Sequence, residues 1–456
     1  MNYTSITADQ REEMLAAIGA SSIDDLFAVI PEKSRFKGEL DLPPALSELE
    51  LQREIARLSS QNRHMLNSVS FMGAGAYDHF IPSFIDQIVN RGEILTAYTP
   101  YQAEASQGSL QAFFEFQTQI ARLTGLDIAN ASLYEGASAC NEAALLAINT
   151  TGKRRVLIAD TVHPDYRKVV ETGLSDLPAE LVVVKSENGR LTTDAVRAAS
   201  NNDTACLIVQ SPNFFGQIED WEGLFKTFQA TSTEGHRPLN VAVINPIACA
   251  LLKTPGACGA DVACGEGQPL GVPLQFGGPY LGLFAARKEF MRRMPGRLIG
   301  QTEDDDGRRA FSLVLQTREQ HIRGAKATSN ICTNQGLLAM RATMYMTAMG
   351  PHGIREVAEQ CWHKAHYLAK KISAIPGFSL RYPGEFFHEF VIKCPGPVTP
   401  IVEHCKMHGF LPGVALHGRR LGRPGAPDEM LIAVTEKRTR EELDAFAKCL
   451  SEAPKA

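Results

Sequence analysis

Neither sign of charge dominates this 456-residue chain: 46 Lys and Arg face 51 Asp and Glu, for a net charge of −5. That balance excludes a general polyanion binder, nucleic acid or membrane surface, and leaves only local basic patches. No stretch reaches the roughly 20 apolar residues of a membrane-spanning helix. The opening MNYTSITADQREEMLAAIG lacks the basic start and apolar run of a secretory signal, so a soluble cytoplasmic protein is expected. The 10 cysteines run from Cys140 to Cys449 without a single CxxC pair. Neither a disulfide framework nor a zinc site of that pattern is expected, and the thiols read as small buried apolar groups. Internal repeats, low-complexity segments and long linkers are also missing. What is present, a 44% apolar composition, suffices for a large core spread over two or three domains.

Periodicity divides the chain into three parts. Residues 1–64 read as a helical extension. Thr7 and Gln10 suit a capping box, Ser22 opens a helix that Pro31 ends, and LSELELQREIARLSSQN makes a third helix. So small an arm suits packing against another domain or subunit. In residues 65–335, GSLQAFFEFQTQIARLTG is an amphipathic helix stopped by Gly125. RRVLIAD, LVVVKS, ACLIVQSPN and NVAVINP are runs apolar on both faces, separated by helical segments. That alternation predicts a mostly parallel sheet covered by helices, an α/β fold. Residues 336–456 alternate helices with FSLRY, FHEFVIKC and MLIAVT, a smaller α+β domain.

Five segments carry candidate chemistry. In YEGASACNEAALLA, residues 134–147, small residues precede a helix whose free N–H groups suit an anion; Ser138 reads equally as a plain helix cap. His163, in TVHPDYRKV after a predicted strand, lies at the sheet edge where α/β proteins keep ligands, or merely stiffens the turn before Pro164. The glycines of GEGQPLGVPLQFGGPYLG, residues 265–282, imply tight turns or close backbone approach. They fit neither GxGxxG followed by a helix nor a P-loop, which disfavours dinucleotide and P-loop folds. TREQHIRGAKATSNICTNQ brings together Arg318, Arg323 and Lys326 with Thr328, Ser329, Asn330 and Thr333, donors suited to a phosphate or carboxylate. SFMGAGAYDHFIP and ILTAYTPYQAEASQGSLQ crowd Tyr98, Tyr101, Glu104, Ser106 and Gln107 onto a non-periodic loop, the usual setting of a pocket or a subunit contact.

Taken together, YTPYQAEASQG, YEGASACNEA, GEGQPLGVPLQFGGPYLG and REQHIRGAKATSNICTNQ resemble the glycine cleavage system P-protein family, the decarboxylating glycine dehydrogenases. The resemblance covers nearly the whole chain and points to the amino-terminal-half type, a separate subunit 1 where the enzyme is split. It implies the type I fold of pyridoxal-phosphate enzymes. It also implies decarboxylation of glycine with transfer of the aminomethyl group to the lipoyl arm of the H-protein.

On that resemblance, Gln268 and Pro269 stand where the partner subunit 2 carries a His-Lys pair. Lys253 falls too early and Lys288 too late to supply the cofactor lysine. Asn245 replaces the acid expected at the pyridine nitrogen. Ser138, His163, Asn245 and Gln268 therefore mark a vestigial site. No catalytic residue is expected on this chain alone, and no metal.

Pyridoxal phosphate is expected on subunit 2, within an α2β2 tetramer. Tyr98, Tyr101, Glu104, Ser106, Gln107, Arg323, Lys326, Thr328, Ser329 and Asn330 are the expected contacts to the shared site, cations toward phosphate or carboxylate and aromatics toward the glycine and lipoyl channel. A non-catalytic scaffold or regulatory partner is the alternative. A free-standing type I enzyme would need the lysine that is missing.

Overall fold

The computed structural model describes residues 5–65, 67–96, 99–232, 237–327, 329–331, 334–418 and 426–454. Tyr98, Thr328 and Thr333 lie outside the described residues. Residues 1–63 and 64–456 form two units.

In the first unit, α1 (Ala8–Ala17) carries the expected capping box between Thr7 and Gln10, and α2 (Glu48–Ser59) a second one between Ser47 and Glu50. The helix expected after Ser22 shortens to one 3-10 turn, Asp24–Phe27. Asp25 explains the difference. Its carboxylate binds the backbone N–H groups of Ser21 and Ser22 and the Ser21 hydroxyl, closing the chain into a local turn. No described residue of this unit is buried.

The second unit is built on a seven-stranded sheet. Its strands are β1 (Ile128–Ala129), β2 (Arg155–Ala159), β3 (Glu180–Val184), β4 (Thr204–Ser211), β5 (Leu239–Ile244), β6 (Val262–Glu266) and β7 (Gly282–Ala286), in the order β1-β7-β6-β5-β4-β2-β3. β2 to β6 pair in parallel, whereas β7 returns antiparallel beside β6. The parallel strands are the doubly apolar runs of the sequence. All six residues of β5 are buried, as a strand covered on both faces requires. Over the sheet lie α3 (Gln107–Thr124), ended by Gly125 at φ 68°, α4 (Gly136–Thr151) and α5 (Pro164–Leu174).

Residues 298–314, which carry no clear strand period, form an antiparallel hairpin, β8 (Leu298–Glu303) with β9 (Arg309–Val314). The sequence then runs into one long helical element, α6 (Gly336–Ser373), interrupted where Gly350 takes φ 61° before Pro351. A second sheet, β10-β11-β13-β12, comprises β10 (Ser379–Leu380), β11 (Glu389–Lys393), β12 (Val414–Ala415) and β13 (Glu429–Ala433), antiparallel throughout. With α7 (Val398–Met407), α8 (Arg440–Glu452) and the last turns of α6 it encloses a second apolar core. Phe71 enters that core from the other end of the sequence, its ring stacked on Phe446 at 4.0 Å. Val69 and Ser70 pair in parallel with Phe410 and Leu411. Residues 69–79 thus strap the amino-terminal end of the second unit to the carboxy-terminal sheet.

Candidate functional site

The carboxyl ends of the parallel strands meet the second sheet at a small cavity. Gly75, Tyr77, His163, Tyr166, Asn245, Glu266, Pro269, His388 and Glu389 are among the residues that line it. His163, Asn245 and Pro269, recognised separately in the sequence, therefore share one wall. Gln268 lies just behind them and Ser138 on the adjoining helix end. Each has a role that only the fold could assign.

The N-terminus of α4 is an anion site by construction, its first N–H groups and helix dipole pointing at the cavity. Two of the chain's own carboxylates occupy it. Glu135 accepts from Ala137 N at 2.6 Å, from Ser138 N at 3.1 Å and from the Ser138 hydroxyl. Glu266 accepts from Gly136 N at 3.1 Å through one oxygen, and from Gln268 N and Leu281 N through the other. Glu135, not Ser138, is thus the cap; the serine adds a donor to it. There is no room to spare, because a Cβ at Gly136 would stand 1.9 Å from the Tyr166 hydroxyl oxygen.

The remaining positions are equally committed. Asn245 turns its Oδ1 back onto Ile247 N and Ala248 N, shaping its own loop. Buried Gln268 accepts from Tyr77 N and donates to Tyr77 O and Val272 O, so its amide is a clamp across the strap. His163 Nδ1 accepts from Asp165 N, which leaves Nε2–H to donate to Ala74 O at 2.8 Å. The imidazole therefore both stiffens its turn and faces the cavity. Glu389 completes the wall, taking Ala74 N and the Tyr77 hydroxyl, each at 2.7 Å.

Those bonds decide whether the pyridoxal phosphate implied by the resemblance has a home here. A resident cofactor needs a lysine, an acid at the ring nitrogen and an open phosphate cradle. Here stand Pro269, a self-satisfied Asn245, and a cradle filled by Glu135 and Glu266. The cavity left between these groups is small, about 30 Å³. The residues do not fit the cofactor. Glu135, Glu266, Tyr166 and Glu389 escaped the sequence reading because a lone acid or tyrosine carries no signal until the fold brings it to the helix end.

Burial pushes Glu266 and Glu389 up to about 7, against the hydrogen bonds that favour their ionised forms. Burial likewise drives His388 down to about 3. A carboxyl raised from an ordinary 4.5 binds more protons folded than unfolded between pH 4.5 and 7. Its contribution to stability is therefore complete below about 4.5 and lost as pH rises through about 7. His388 acts in the opposite sense, yet equally in wild type and in a Glu389→Gln variant, so the difference between the two isolates Glu389. Urea midpoints from pH 4.5 to 7.5 are expected to fall less steeply for Glu389→Gln, whose amide can serve both Ala74 N and Tyr77. Parallel curves would show that Glu389 does not take up a proton on folding.

The two other flagged segments meet at a second place. The Tyr101 hydroxyl donates to Asn334 Oδ1, its ring stacks on Phe113 at 5.2 Å, and the Arg297 guanidinium lies 4.5 Å above it. Burial raises its phenol to about 12. Ser329 is near enough to Glu142, one turn beyond Ser138 on α4, to oppose the burial that pushes that carboxyl up to about 7, so this place adjoins the filled cavity through one helix. Arg323, Lys326, Asn330 and Glu104 are exposed.

Three cues turn out to be internal. Gln107 gives Oε1 to Phe311 N and Nε2 to Phe311 O, clipping α3 to the hairpin. The Ser106 hydroxyl donates to Thr99 O. Arg318 is buried with its guanidinium on the carbonyls of Met294 and Gly296, a brace rather than a ligand cation. Charge alone could not distinguish Arg318 from Arg323; burial does.

The sequence model of the glycine cleavage system P-protein matches residues 1–450. The chain is 48% identical over 455 residues, 99% of its own length and 100% of the relative's, to a probable glycine dehydrogenase (decarboxylating) subunit 1 of Thermomicrobium roseum. It is 47% identical to a protein of the same description from Anoxybacillus flavithermus, covering 99% and 98% of the two chains. A crystal structure of glycine decarboxylase (P-protein) of the glycine cleavage system, in inhibitor-bound form, superposes with a TM-score of 0.89 at 42% identity, over 99% of this chain and 100% of that one. A glutamate decarboxylase of Lactobacillus brevis shares only the fold, at 12% identity and TM-score 0.66 over 92% and 95% of the two chains. The architecture is the type I fold of pyridoxal-phosphate enzymes. By sequence along nearly its whole length and by fold, this chain belongs to the glycine cleavage system P-protein family.

Proposed function

We propose that the chain is the cofactor-free subunit of a two-subunit glycine dehydrogenase (decarboxylating), EC 1.4.4.2. A second subunit of the same fold holds pyridoxal phosphate, and the pair assembles as an α2β2 tetramer in the cytoplasm. The complex decarboxylates glycine and passes the aminomethyl group to the lipoyl arm of the H-protein. The observation that carries this reading is the filled cradle: Glu135 and Glu266 sit on the helix end that a cofactor phosphate would need, and Pro269 lines the same cavity. The alternative is a scaffold or regulatory partner whose contacts stay clear of the chemistry.

Pyridoxal phosphate, when bound on the second subunit, supplies the electron sink for loss of carbon dioxide. This chain's part is to complete that site. Exposed Arg323 and Lys326 present positive charge to a phosphate or carboxylate. Tyr101, fixed by Asn334 and Arg297, supplies the aromatic wall of the glycine and lipoyl channel. Glu104, Ser329 and Asn330 belong to the same surface in this reading; Tyr98 and Thr328, expected contacts of the same site, lie outside the described residues. Ser106 and Gln107 hold the loop that carries Tyr101. The division at 1–64, 65–335 and 336–456 belongs to the same reading, with the strap around Phe71 tying the second part to the third.

The test is reconstitution with the second subunit. Arg323→Ala and Lys326→Ala are expected to leave assembly intact on gel filtration. Glycine decarboxylation should fall roughly 10- to 100-fold, the loss of one hydrogen bond to a charged group. Unchanged turnover in both variants would favour the scaffold. The chain purified alone and treated with borohydride, without added cofactor, should carry no pyridoxyl-lysine by mass spectrometry.

A further inference from the structure

The end of α7 holds a cluster that glycine chemistry does not use. His404 and His408, four residues apart, lie on one face of the helix end with ring centroids 4.4 Å apart. Cys449, buried on α8, faces them. One nitrogen from each ring and the Cys449 sulfur lie within 4.8 Å of one another.

The hydrogen bonds around the rings leave one nitrogen of each available to a ligand. His408 Nδ1 lies 2.8 Å from the carbonyl oxygen of His404. A carbonyl only accepts, so that nitrogen carries the proton and Nε2 is a free donor to a metal. A backbone carbonyl fixing the tautomer in this way is the usual outer partner of a metal-bound histidine. His404 Nε2 is buried with no hydrogen-bond partner among the described residues, a cost that a ligand would relieve. The sulfur of Cys405 lies 3.8 Å from that of Cys449, close enough for its S–H to donate to a Cys449 thiolate.

We propose that His404, His408 and Cys449 form a zinc site that ties the last turn of α7 to α8. Two imidazoles and a thiolate are the ligand types zinc prefers, and water takes the fourth position. Zinc–nitrogen bonds of about 2.0 Å and a zinc–sulfur bond of about 2.3 Å require the ligand atoms to lie between 3 and 4 Å apart, roughly. Rotation of exposed His408 closes the difference. On binding, the Cys449 proton leaves to solvent. The site is structural in character. His408 is followed by Gly409 and by the Phe410–Leu411 pair with Val69–Ser70, so the ion would lock the turn from which the strap is held.

The sequence pattern hides this site, since its cysteine comes 41 positions after His408 instead of in a CxxC pair. A second cluster, His79, Cys361 and Glu436, also has ligand-type atoms together. There, however, His79 Nδ1 is already bonded to Glu436 at 2.7 Å and Lys364 donates to the Glu436 carbonyl.

The full-length chain, stripped with chelator and titrated with Co²⁺, should bind one equivalent with a thiolate-to-cobalt charge-transfer band that Zn²⁺ abolishes. The band should vanish in Cys449→Ser. In His408→Ala, exposed and expected to fold normally by circular dichroism, affinity should fall more than the roughly 10- to 100-fold that losing an outer partner costs. Unchanged binding in folded His408→Ala would overturn the proposal. So would a band that survives Cys449→Ser, or one that disappears in Cys361→Ala and places the ion at the other cluster. None of these readouts depends on glycine turnover.

Discussion

Replacing Gly216 by alanine is expected to cost more than about 4 kcal/mol, the range reserved for structural breakage. Gly216 lies at φ 82° in the tight turn after β4, where an added Cβ would stand 1.9 Å from the backbone oxygen of Glu389. Neither obstacle can yield cheaply. The φ is one that residues with a Cβ avoid, and the atom it meets belongs to β11, not to a flexible side-chain tip. The approach is close because the two segments are bonded there: Phe387 N donates to Gly216 O at 3.1 Å, and Ile218 N to Glu385 O at 2.8 Å. Alanine would have to push apart the seam between the main sheet and the second sheet, and with it the wall that Glu389 makes. Soluble yield and the urea midpoint measure the effect. A loss below about 1 kcal/mol, the ordinary cost of a substitution, would mean that the seam is not packed this way.

Asp78→Ala should be nearly as costly, at about 3 kcal/mol, because it strands a buried cation. Asp78 accepts from Lys437 Nζ at 2.8 Å and from Arg438 at 3.1 Å. The Arg438 side chain is only 4% exposed, and its next carboxylate, Glu442, is 3.8 Å away. Removing one partner of a buried pair costs roughly 3–5 kcal/mol through the charge left behind, and the distant Glu442 places this case at the low end. Lys437, a third exposed, adds little because water can hold its charge. The signature is non-additivity. In Asp78→Ala/Arg438→Met much of the loss should return, since no buried cation is left unpaired and water holds the charge of Lys437. Denaturation of the two single variants and the double variant measures the coupling. A double variant as unstable as the sum of the singles would show that the pair is not coupled.

What could be read directly from the sequence was what local order or a single residue type decides. The parallel strands are legible because burial on both faces leaves continuous apolar runs, as in NVAVINP. The capping box at Thr7 is legible because it closes over three residues. The family motifs are legible because each is a continuous run such as YEGASACNEA. The hairpin at 298–314 was not legible, its outer positions being too polar to alternate cleanly.

The filled cradle was not legible either. Gly136 and Glu266 are 130 positions apart and meet only when β6 brings the carboxylate to the end of α4. Arg318 and Arg323 look alike in sequence, yet one is a buried brace and the other an exposed cation, since exposure depends on what packs over each. The sequence by itself determined the α/β scaffold and, through its motifs, the family. Tertiary structure alone decided what occupies the end of α4, because an anion site is made of groups converging in space, and two carboxylates from distant segments converge there.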